Sequence, residues 1–399
     1  MSRDFNDVID DYEDIDSNDK KIRKKKLKEN KKKLPRKEKI IRVVAISLIV
    51  ASVLAIGGVW AANHRWWGEI VPPDLKHSDE LKEKTVNFLI CGIDSEEGRT
   101  EMNSDIMMVA NIDVVNKKMS ILQLPRDTWV GGEETPYGKL NGVFARSESG
   151  GIKGLMRFLN TNYKLSIDHY ATVTMDTFMK VVDDVGGVEM DVPSTISWEG
   201  VTIQKGKQKL SGRQAQIFVR KRKGADVAYD PLYQQGDISR MKMQRLFLAA
   251  LADELQKCTL DEYVKLVQTA MKNVKTDLNV AEVLKYAKFV REINLKKMTI
   301  DILPGSAVPE SLYPFVNGLK QSVYSVDKQQ AVELLNKRFR LYTDPLPETA
   351  FTILEIEGAV TQFDNDTSNN LKELTKDGAI PGQKKEKKSS SKNTSSGTR

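Results

Sequence analysis

The sequence has few of the residues that build disulfide frameworks and metal clusters. Among 399 residues there are two cysteines and three histidines. Cys91 lies in the apolar run at residues 86–91, which predicts a buried free thiol, and no histidine has a neighbour at metal-ligand spacing. A disulfide-stabilised scaffold and a zinc site made of Cys and His are therefore excluded.

Several catalytic signatures are also absent. The chain contains no Gly-x-Ser-x-Gly elbow, no Walker A sequence, no His-Glu-x-x-His and no cysteine in an activating context. These absences argue against the hydrolases and nucleotidases that depend on such motifs. Phosphoryl transfer without a protein nucleophile remains compatible with the sequence.

Net positive charge is confined to the two ends of the chain. The formal charge is +7, but residues 1–42 carry 15 Lys and Arg against 10 Asp and Glu, and residues 384–399 carry six against one. The rest of the chain is therefore slightly acidic. Because nucleic-acid binding needs basic charge on a folded face, we expect none here.

One long apolar run predicts a membrane anchor. Residues 43–62 contain no charge, and as one helix these 20 residues cover a hydrocarbon core of about 30 Å. Fourteen Lys and Arg lie between Lys20 and Arg42, which places the N-terminus in the cytoplasm and the rest of the protein outside it. A cleaved signal peptide is the alternative, but its apolar region is usually shorter.

Composition divides the chain into six predicted segments. Short apolar runs alternate with amphipathic stretches only in residues 85–340, and residues 384–399 are Lys/Ser/Thr-rich and expected to be disordered. The segments are a charged cytoplasmic tail (1–42), a transmembrane helix (43–62), a stalk (63–84), a folded domain (85–340), a C-terminal extension to which no activity is assigned (341–383) and a disordered tail (384–399).

The folded domain has the element order of an α/β layered architecture. Strand-length runs occur at residues 86–91, 106–113, 119–124, 171–174, 188–192 and 298–303. Helical spacing of apolar residues occurs at 152–159, 178–185, 241–255 and 260–271, and we interpret all of these stripes as facing the core.

Two aspartates flank the first two predicted strands. Asp94 follows the first strand and Asp105 directly precedes the second, so their carboxylates can meet at one edge of the sheet. Such a pair suits a divalent cation with open water positions. The alternative is that both side chains only cap or end their elements, as Asp commonly does.

The stretch FVRKR at residues 218–222 is the most informative basic segment. In an extended conformation side chains two apart share a face, so Arg220 and Arg222 are expected to point the same way. Phosphate oxygens match the planar donor fork of a guanidinium. A solvated basic strand end is the alternative.

Further charged residues complete a candidate polyanion site. Arg126 and Asp127 follow the third strand, where a surface ion pair is the alternative. Asp237 opens a helical segment in which Arg240 and Gln244 share a face, and its spacing allows an ion pair with Arg240. The combined set suits pyrophosphate with Mg²⁺.

As a set, these motifs resemble the LytR-CpsA-Psr family of cell wall glycopolymer transferases. Their order and approximate spacing agree across residues 85–250, but Asn103 replaces a frequent Arg and Ile106 a frequent hydroxyl residue. The matching stretches are 88–94 (FLICGID), 104–105 (SD), 124–127 (LPRD), 138–141 (GKLN), 219–222 (VRKR) and 236–244 (GDISRMKMQ), with further agreement at 183–188 (DDVGGV) and 205–212 (KGKQKLSG).

The resemblance implies a fold, a location and a reaction. The fold is an α/β/α layered domain with a central mixed sheet, preceded by one transmembrane helix, in a single-pass protein of the cell membrane whose catalytic domain is extracellular. The reaction passes a polyprenyl-pyrophosphate-linked glycopolymer, such as teichoic acid or capsular polysaccharide, with one phosphate to a peptidoglycan sugar hydroxyl. The expected partners are this donor, the peptidoglycan acceptor and membrane lipid.

The resemblance also implies roles for individual residues. Asp94 and Asp105 would bind Mg²⁺, and Asp237 would orient the arginines or assist the base. The implied catalytic residues are Arg126, Arg220, Arg222, Asp237 and Arg240, and the implied substrate ligands are Arg126, Lys139, Arg220, Arg222, Arg240 and Gln244.

Two rival functions use the same charged site. A polyprenyl-pyrophosphate phosphatase would use water where the transferase uses a sugar hydroxyl. A non-catalytic protein would bind polyprenyl phosphate or wall polymer without turnover.

Overall fold

The computed structural model describes residues 79–93, 104–133, 135–145, 151–234, 236–293, 297–359 and 368–370, in which helices and strands alternate. The helices are α1 (Asp79–Lys82), α2 (Leu140–Ala145), α3 (Ile152–Asn162), α4 (Met175–Asp184), α5 (Gly212–Arg220), α6 (Asp237–Lys257), α7 (Leu260–Met271), α8 (Val280–Glu292) and α9 (Lys328–Arg338). The strands are β1 (Thr85–Ile93), β2 (Ser104–Asp113), β3 (Lys118–Leu124), β4 (His169–Thr174), β5 (Val188–Val192), β6 (Ile196–Trp198), β7 (Val201–Ile203), β8 (Gly206–Leu210), β9 (Lys275–Thr276), β10 (Thr299–Ile302), β11 (Gly305–Ala307), β12 (Phe315–Val316), β13 (Leu319–Lys320), β14 (Tyr324–Val326) and β15 (Ser368–Asn370).

Seven of these strands form one mixed sheet, in the order β15-β10-β3-β2-β1-β4-β9. Strands β1, β2 and β3 make an antiparallel meander. β4 lies parallel to β1, and β10 lies parallel to β3. The predicted α/β fold with a central mixed sheet is therefore confirmed.

Helices cover both faces of the sheet because its strands alternate their apolar side chains between two cores. On one face, Leu89 and Leu122 belong to a core shared with α2, α3 and α9. On the other face, Ile121 and Ile300 pack with Ala249 of α6. Cys91 is a buried free thiol, as predicted.

A second core lies beside the sheet, under two small antiparallel pairs. Pairs β5–β8 and β6–β7 pack on α5 and on the middle of α6 through residues such as Met190, Phe218 and Phe247. The chain passes from α4 to β5 through Gly186 and Gly187, whose φ angles of 84° and 88° favour glycine. The DDVGGV stretch that matches the family at residues 183–188 is thus a helix-to-strand turn.

The packed part of the chain continues past residue 340. Phe351 and Ile353 belong to the same core as Leu89. The predicted tails and the predicted transmembrane run at 43–62 lie outside the described residues. Within the described ranges, no helix has both the length and the apolar composition needed to cross a membrane.

Candidate active site

A cavity of about 660 Å³ lies between α4, α6 and the face of the sheet formed by β1, β2 and β4. Its lining changes along α6, from Arg240 and Gln244 in the first turns to Phe247 and Leu251 further on. Arg240 and Leu251 are about 16 Å apart along the helix axis at 1.5 Å per residue. The cavity therefore has a charged end and an apolar end.

The sheet wall shows the same gradient. Asp105 lines the cavity near the start of β2, and Met108 lines it three residues later. On the neighbouring strand Ile90 pairs with Met108, whereas Ile93 pairs with Ser104, next to Asp105. The sequence predicted that Asp105 directly precedes β2. It lies inside the strand instead, because the β1–β2 pairing extends to Ser104.

Ion pairs bring arginines from three elements together at the charged end. Nη1 of Arg126, in the turn after β3, lies 2.6 Å from Oδ1 of Asp105. Asp237, the first residue of α6, has its Oδ1 atom 2.7 Å from Nη2 of Arg240 and 3.9 Å from Nη1 of Arg222. Its Oδ2 atom lies 3.9 Å from Nε of Arg126. The predicted ion pair between Asp237 and Arg240 is therefore confirmed.

The arginines differ in how their neighbours affect the pKa. Burial alone lowers the pKa of Arg126, but Asp237, Asp127 and Asp105 outweigh burial and raise it. Burial prevails at Arg240 and lowers its pKa, although Asp237 opposes this effect. Because the unperturbed pKa of Arg is above about 12, both are cationic at neutral pH. A bound anion would relieve the repulsion between these guanidiniums.

The expected extended conformation at residues 218–222 is wrong for its first half. Residues 218–220 end helix α5, which begins with a capping box formed by Ser211 and Gln214. The chain becomes extended only at Lys221, where φ is −58° and ψ is 126°. Arg220 and Arg222 nevertheless both line the cavity.

Lys221 between these arginines is turned inward. Its side chain is 5% exposed, and its Nζ atom lies 2.7 Å from Oδ1 of Asp226 and donates to the Ser197 carbonyl at 2.7 Å. The Ser197 amide donates to Oδ2 of Asp226. These bonds attach the loop after α5 to strand β6, so the position of Arg222 depends on this loop.

The sequence did not indicate that Trp198 belongs to the site. Its ring lines the cavity, and the guanidinium carbon of Arg220 lies 5.2 Å from the ring centroid. This distance is within the range of a cation–π interaction. Trp198 therefore limits where the exposed Arg220 side chain can point.

Two of the implied substrate ligands are held by other protein groups. The Nζ atom of Lys139 lies 3.1 Å from Oδ1 of Asp127, and Lys139 is not part of the cavity lining. Gln244 does line the cavity, but its Oε1 atom accepts from Gln123 and its Nε2 atom donates to the Val219 carbonyl.

Comparison with known proteins identifies the family. The model of the LytR_cpsA_psr family matches residues 63–340. The chain belongs to the LytR-CpsA-Psr family.

Relatives of this family agree in sequence and fold. The chain is 26% identical over 280 residues to the polyisoprenyl-teichoic acid–peptidoglycan teichoic acid transferase TagV of Bacillus subtilis, covering 68% of each chain. It is 28% identical over 248 residues to TagU of Bacillus mycoides, which has the corresponding transferase name, covering 60% of this chain and 78% of the relative. The crystal structure of B. subtilis TagV superposes with a TM-score of 0.54 over 66% of this chain and 99% of that one, at 26% identity.

A structure with a ligand shares the fold at lower identity. TagT bound to LIIa-WTA superposes with a TM-score of 0.51 at 22% identity, over 68% of this chain and 96% of that one. Protein gbs0355 of Streptococcus agalactiae superposes with a TM-score of 0.58 at 20% identity, over 71% of this chain and 96% of that one. At these identities both structures show the fold alone.

The implied Mg²⁺ site is only partly covered by the described residues. Asp105 has a 44% exposed side chain that lines the cavity, whereas Asp94 lies outside the described residues. The part of the chain that is described contains no group of three or more His, Cys, Asp or Glu side chains placed to hold a metal ion. Since Mg²⁺ usually takes one or two carboxylates together with water and substrate phosphates, Asp105 still fits such a site.

The sequence patterns did not predict the apolar part of the cavity. Phe178 and Val181 were expected to face a closed core, but they line the cavity together with Leu248 and Leu251. An apolar helix stripe looks the same in the sequence whether it contacts a packed core or a cavity wall. No signal in the sequence separates the two cases.

Proposed function

We propose that this chain is a phosphotransferase that attaches a polyprenyl-pyrophosphate-linked glycopolymer, teichoic acid or capsular polysaccharide, to peptidoglycan. One observation carries the proposal: a single cavity joins a cluster of arginines to a long apolar wall. A lipid with a pyrophosphate headgroup has the same two parts in the same order. The transferase names of TagV and TagU agree with this reaction.

The charged end would bind the pyrophosphate. Arg126, Arg222 and Arg240 are already grouped around Asp237, and Arg220 lines the same cavity. Guanidiniums form charge-assisted hydrogen bonds with phosphate oxygens. The prenyl chain would then extend along α6 toward Leu251, where it removes apolar surface from water.

The reaction needs stabilisation of developing negative charge. The oxygen of a peptidoglycan sugar hydroxyl bonds to the phosphorus that carries the glycopolymer, and the bond from that phosphorus to the bridging oxygen breaks. Polyprenyl phosphate leaves, and the hydroxyl proton passes to a base. Fixed arginines stabilise this transition state more than the ground state, so loss of one should cost about 10²-fold or more in rate.

Mg²⁺ dependence is part of the proposal. Bound Mg²⁺ would neutralise charge on the pyrophosphate oxygens, and the residues that would hold it are Asp105 and Asp94. The exposed Asp105 carboxylate in the cavity wall supports this assignment. Removal of divalent cations with EDTA should abolish transfer, and Mg²⁺ should restore it.

The proposed location is the outer face of the cell membrane. Residues 43–62 would anchor the chain, with the N-terminus in the cytoplasm and the folded domain outside. This orientation places the cavity in the compartment that contains peptidoglycan. Protease treatment of intact protoplasts should degrade the folded domain and protect the N-terminal tail.

A transfer assay tests the proposal. Full-length protein in detergent is incubated with a polyprenyl-pyrophosphate glycan, Mg²⁺ and peptidoglycan oligomers, and products are identified by mass spectrometry. Wild type should form linked product, and Arg126→Ala should reduce it about 10²-fold or more. Arg213→Ala is the matched control, because Arg213 pairs with Glu199 on the surface and is absent from the cavity lining.

The same assay separates the rival functions. Release of glycan phosphate at the same rate with and without peptidoglycan would instead indicate a phosphatase. Tight donor binding with no product would indicate a binding protein.

A further inference from the structure

Three hydrogen bonds form a continuous chain behind the charged end of the cavity. Nη1 of Arg245 donates to Oε1 of Gln123 at 3.3 Å, and Nε2 of Gln123 donates to Oε1 of Gln244 at 2.7 Å. Nε2 of Gln244 then donates to the Val219 carbonyl at 3.1 Å. The side chains belong to residues that are 1%, 2% and 5% exposed for Arg245, Gln123 and Gln244.

The two ends of this chain fix its direction. A guanidinium can only donate hydrogen bonds, and a backbone carbonyl can only accept them. A glutamine amide can in principle be turned either way, with oxygen and nitrogen exchanged. Turning Gln123 would place its NH₂ group against the Arg245 donor, and turning Gln244 would place its oxygen against the Val219 carbonyl. Only one orientation of both amides makes all three bonds.

This bond direction makes Nε2 of Gln244, a residue of the cavity lining, a hydrogen-bond donor. The Nε2 atom of Gln244 has two hydrogens, of which the Val219 carbonyl takes one. Gln244 lines the cavity one helical turn after Arg240. We propose that Gln123 and Arg245 are positioning residues that fix Gln244 as a hydrogen-bond donor to the phosphate oxygens of the substrate. This inference rests on the proposed function of the charged end as a pyrophosphate site.

The contribution of the two positioning residues is to exclude the wrong amide orientation. A glutamine without these partners could turn its carbonyl oxygen toward the cavity, and that oxygen would repel a phosphate. Burial makes the effect stronger, since an unpaired polar group away from water is costly. The same chain also links the carbonyl next to Arg220 to strand β3, which is followed by the turn that contains Arg126.

The substitution Gln123→Glu reverses the hydrogen bond between positions 123 and 244. A carboxylate only accepts, so it would accept from Arg245 and also from Nε2 of Gln244, turning the Gln244 oxygen away from position 123. The Kd of full-length protein for inorganic pyrophosphate, measured by calorimetry, should rise about tenfold or more. Gln123→Met, which removes the partner of Gln244 without reversing this bond, should raise the Kd less.

A control on the same helix separates this effect from a general effect of added charge. Gln256 lies 12 residues after Gln244 on α6, and its Nε2 atom donates to the Ile293 carbonyl. Gln256→Glu should leave the pyrophosphate Kd unchanged. Thermal unfolding of each variant shows whether it is folded.

A spectroscopic measurement on the wild-type protein tests whether the Gln244 amide donates to pyrophosphate, independently of any effect of a substitution on folding. With ¹⁵N-labelled glutamine side chains, one of the two Gln244 amide protons should shift downfield when pyrophosphate binds. No shift at saturating pyrophosphate would overturn the inference, as would equal Kd values for wild type and folded Gln123→Glu. Equal Kd increases for Gln123→Glu and Gln123→Met would also overturn it, because the role would then be structural.

The failure of the proposed function gives a different result. Wild-type protein that does not bind pyrophosphate at all would contradict the pyrophosphate site and, with it, this inference. Binding that is normal in wild type and in Gln123→Glu contradicts the inference alone.

Discussion

Oδ1 of Asp237 lies 2.7 Å from Nη2 of Arg240, three residues further along α6. The same carboxylate lies 3.9 Å from both Arg126 and Arg222. One acidic side chain therefore contacts guanidiniums from the turn after β3, the loop after α5 and the first turn of α6. Its location in the first turn of a helix, where the dipole favours negative charge, supports this arrangement.

Asp237→Asn should lower both activity and stability. The amide retains the shape but removes the charge that balances the three arginines, so their side chains should separate. We expect kcat to fall about tenfold or more, and the free energy of unfolding to decrease by about 2 kcal/mol. Transfer kinetics and urea unfolding measure the two effects.

Asp253→Asn is the matched control for this substitution. Asp253 is on the same helix and pairs with Lys257 at 2.8 Å, but this pair is on the surface. Its removal should change the free energy of unfolding by less than about 1 kcal/mol and leave kcat unchanged. Equal effects of the two substitutions would contradict the organising role of Asp237.

Trp198→Ala should impair the site through Arg220. The ring limits the positions of the guanidinium, and a cation–π contact is worth about 0.5–1 kcal/mol at exposed sites. We therefore expect kcat/KM to fall about threefold. Trp198→Phe keeps an aromatic face and should retain most of the activity, so a similar loss in both variants would argue against the contact.

Val181→Trp should make the enzyme sensitive to the length of the lipid. Val181 lines the apolar part of the cavity, and a larger ring would occupy space that a long prenyl chain needs. KM should rise several-fold for long-chain donors and change little for short-chain donors. Val115→Trp, at a valine that is 60% exposed outside the cavity, is the control. A KM increase that is independent of chain length would contradict the assignment of this wall.

Asp226 should give the loop after α5 a pH-dependent stability. Burial alone raises the pKa of Asp226, but hydrogen bonds from Lys221 and the Ser197 amide outweigh it and hold the pKa below the ordinary 3.8. A depressed carboxyl pKa adds stability above the unfolded value and loses it as pH falls through the folded value. Asp226→Asn should therefore lower the Tm at pH 7 by about 4 °C, and the difference should shrink as the pH falls below the ordinary carboxyl pKa of 3.8. A difference that persists at low pH would show that the charge is not its cause.

Sequence patterns predicted the sheet well because its strands are buried and strongly apolar. The first three strands were predicted within two residues at every end. The prediction at residues 218–222 was wrong because the basic cluster was considered without the capping signal at Ser211 and Gln214, which starts a helix.

The charged residues of the site were easier to predict than its apolar part. Asp, Arg and their spacing are rare enough to indicate an anion site, and the Asp237–Arg240 pair followed from helix geometry alone. Trp198 is 22 residues from Arg220 and Gln123 is 121 residues from Gln244, and only the packing of β6 and β3 brings each pair together. Local patterns contain no information about such long-range contacts.

The most direct test of the proposed transfer follows the two phosphates of the donor separately. A polyprenyl-pyrophosphate glycan labelled with ³²P only at the sugar-linked phosphate is incubated with full-length protein, Mg²⁺ and peptidoglycan. The label should appear in peptidoglycan, and the released polyprenyl phosphate should be unlabelled. Label that is released as soluble glycan phosphate regardless of acceptor, or that remains on the lipid, would contradict the proposed transfer.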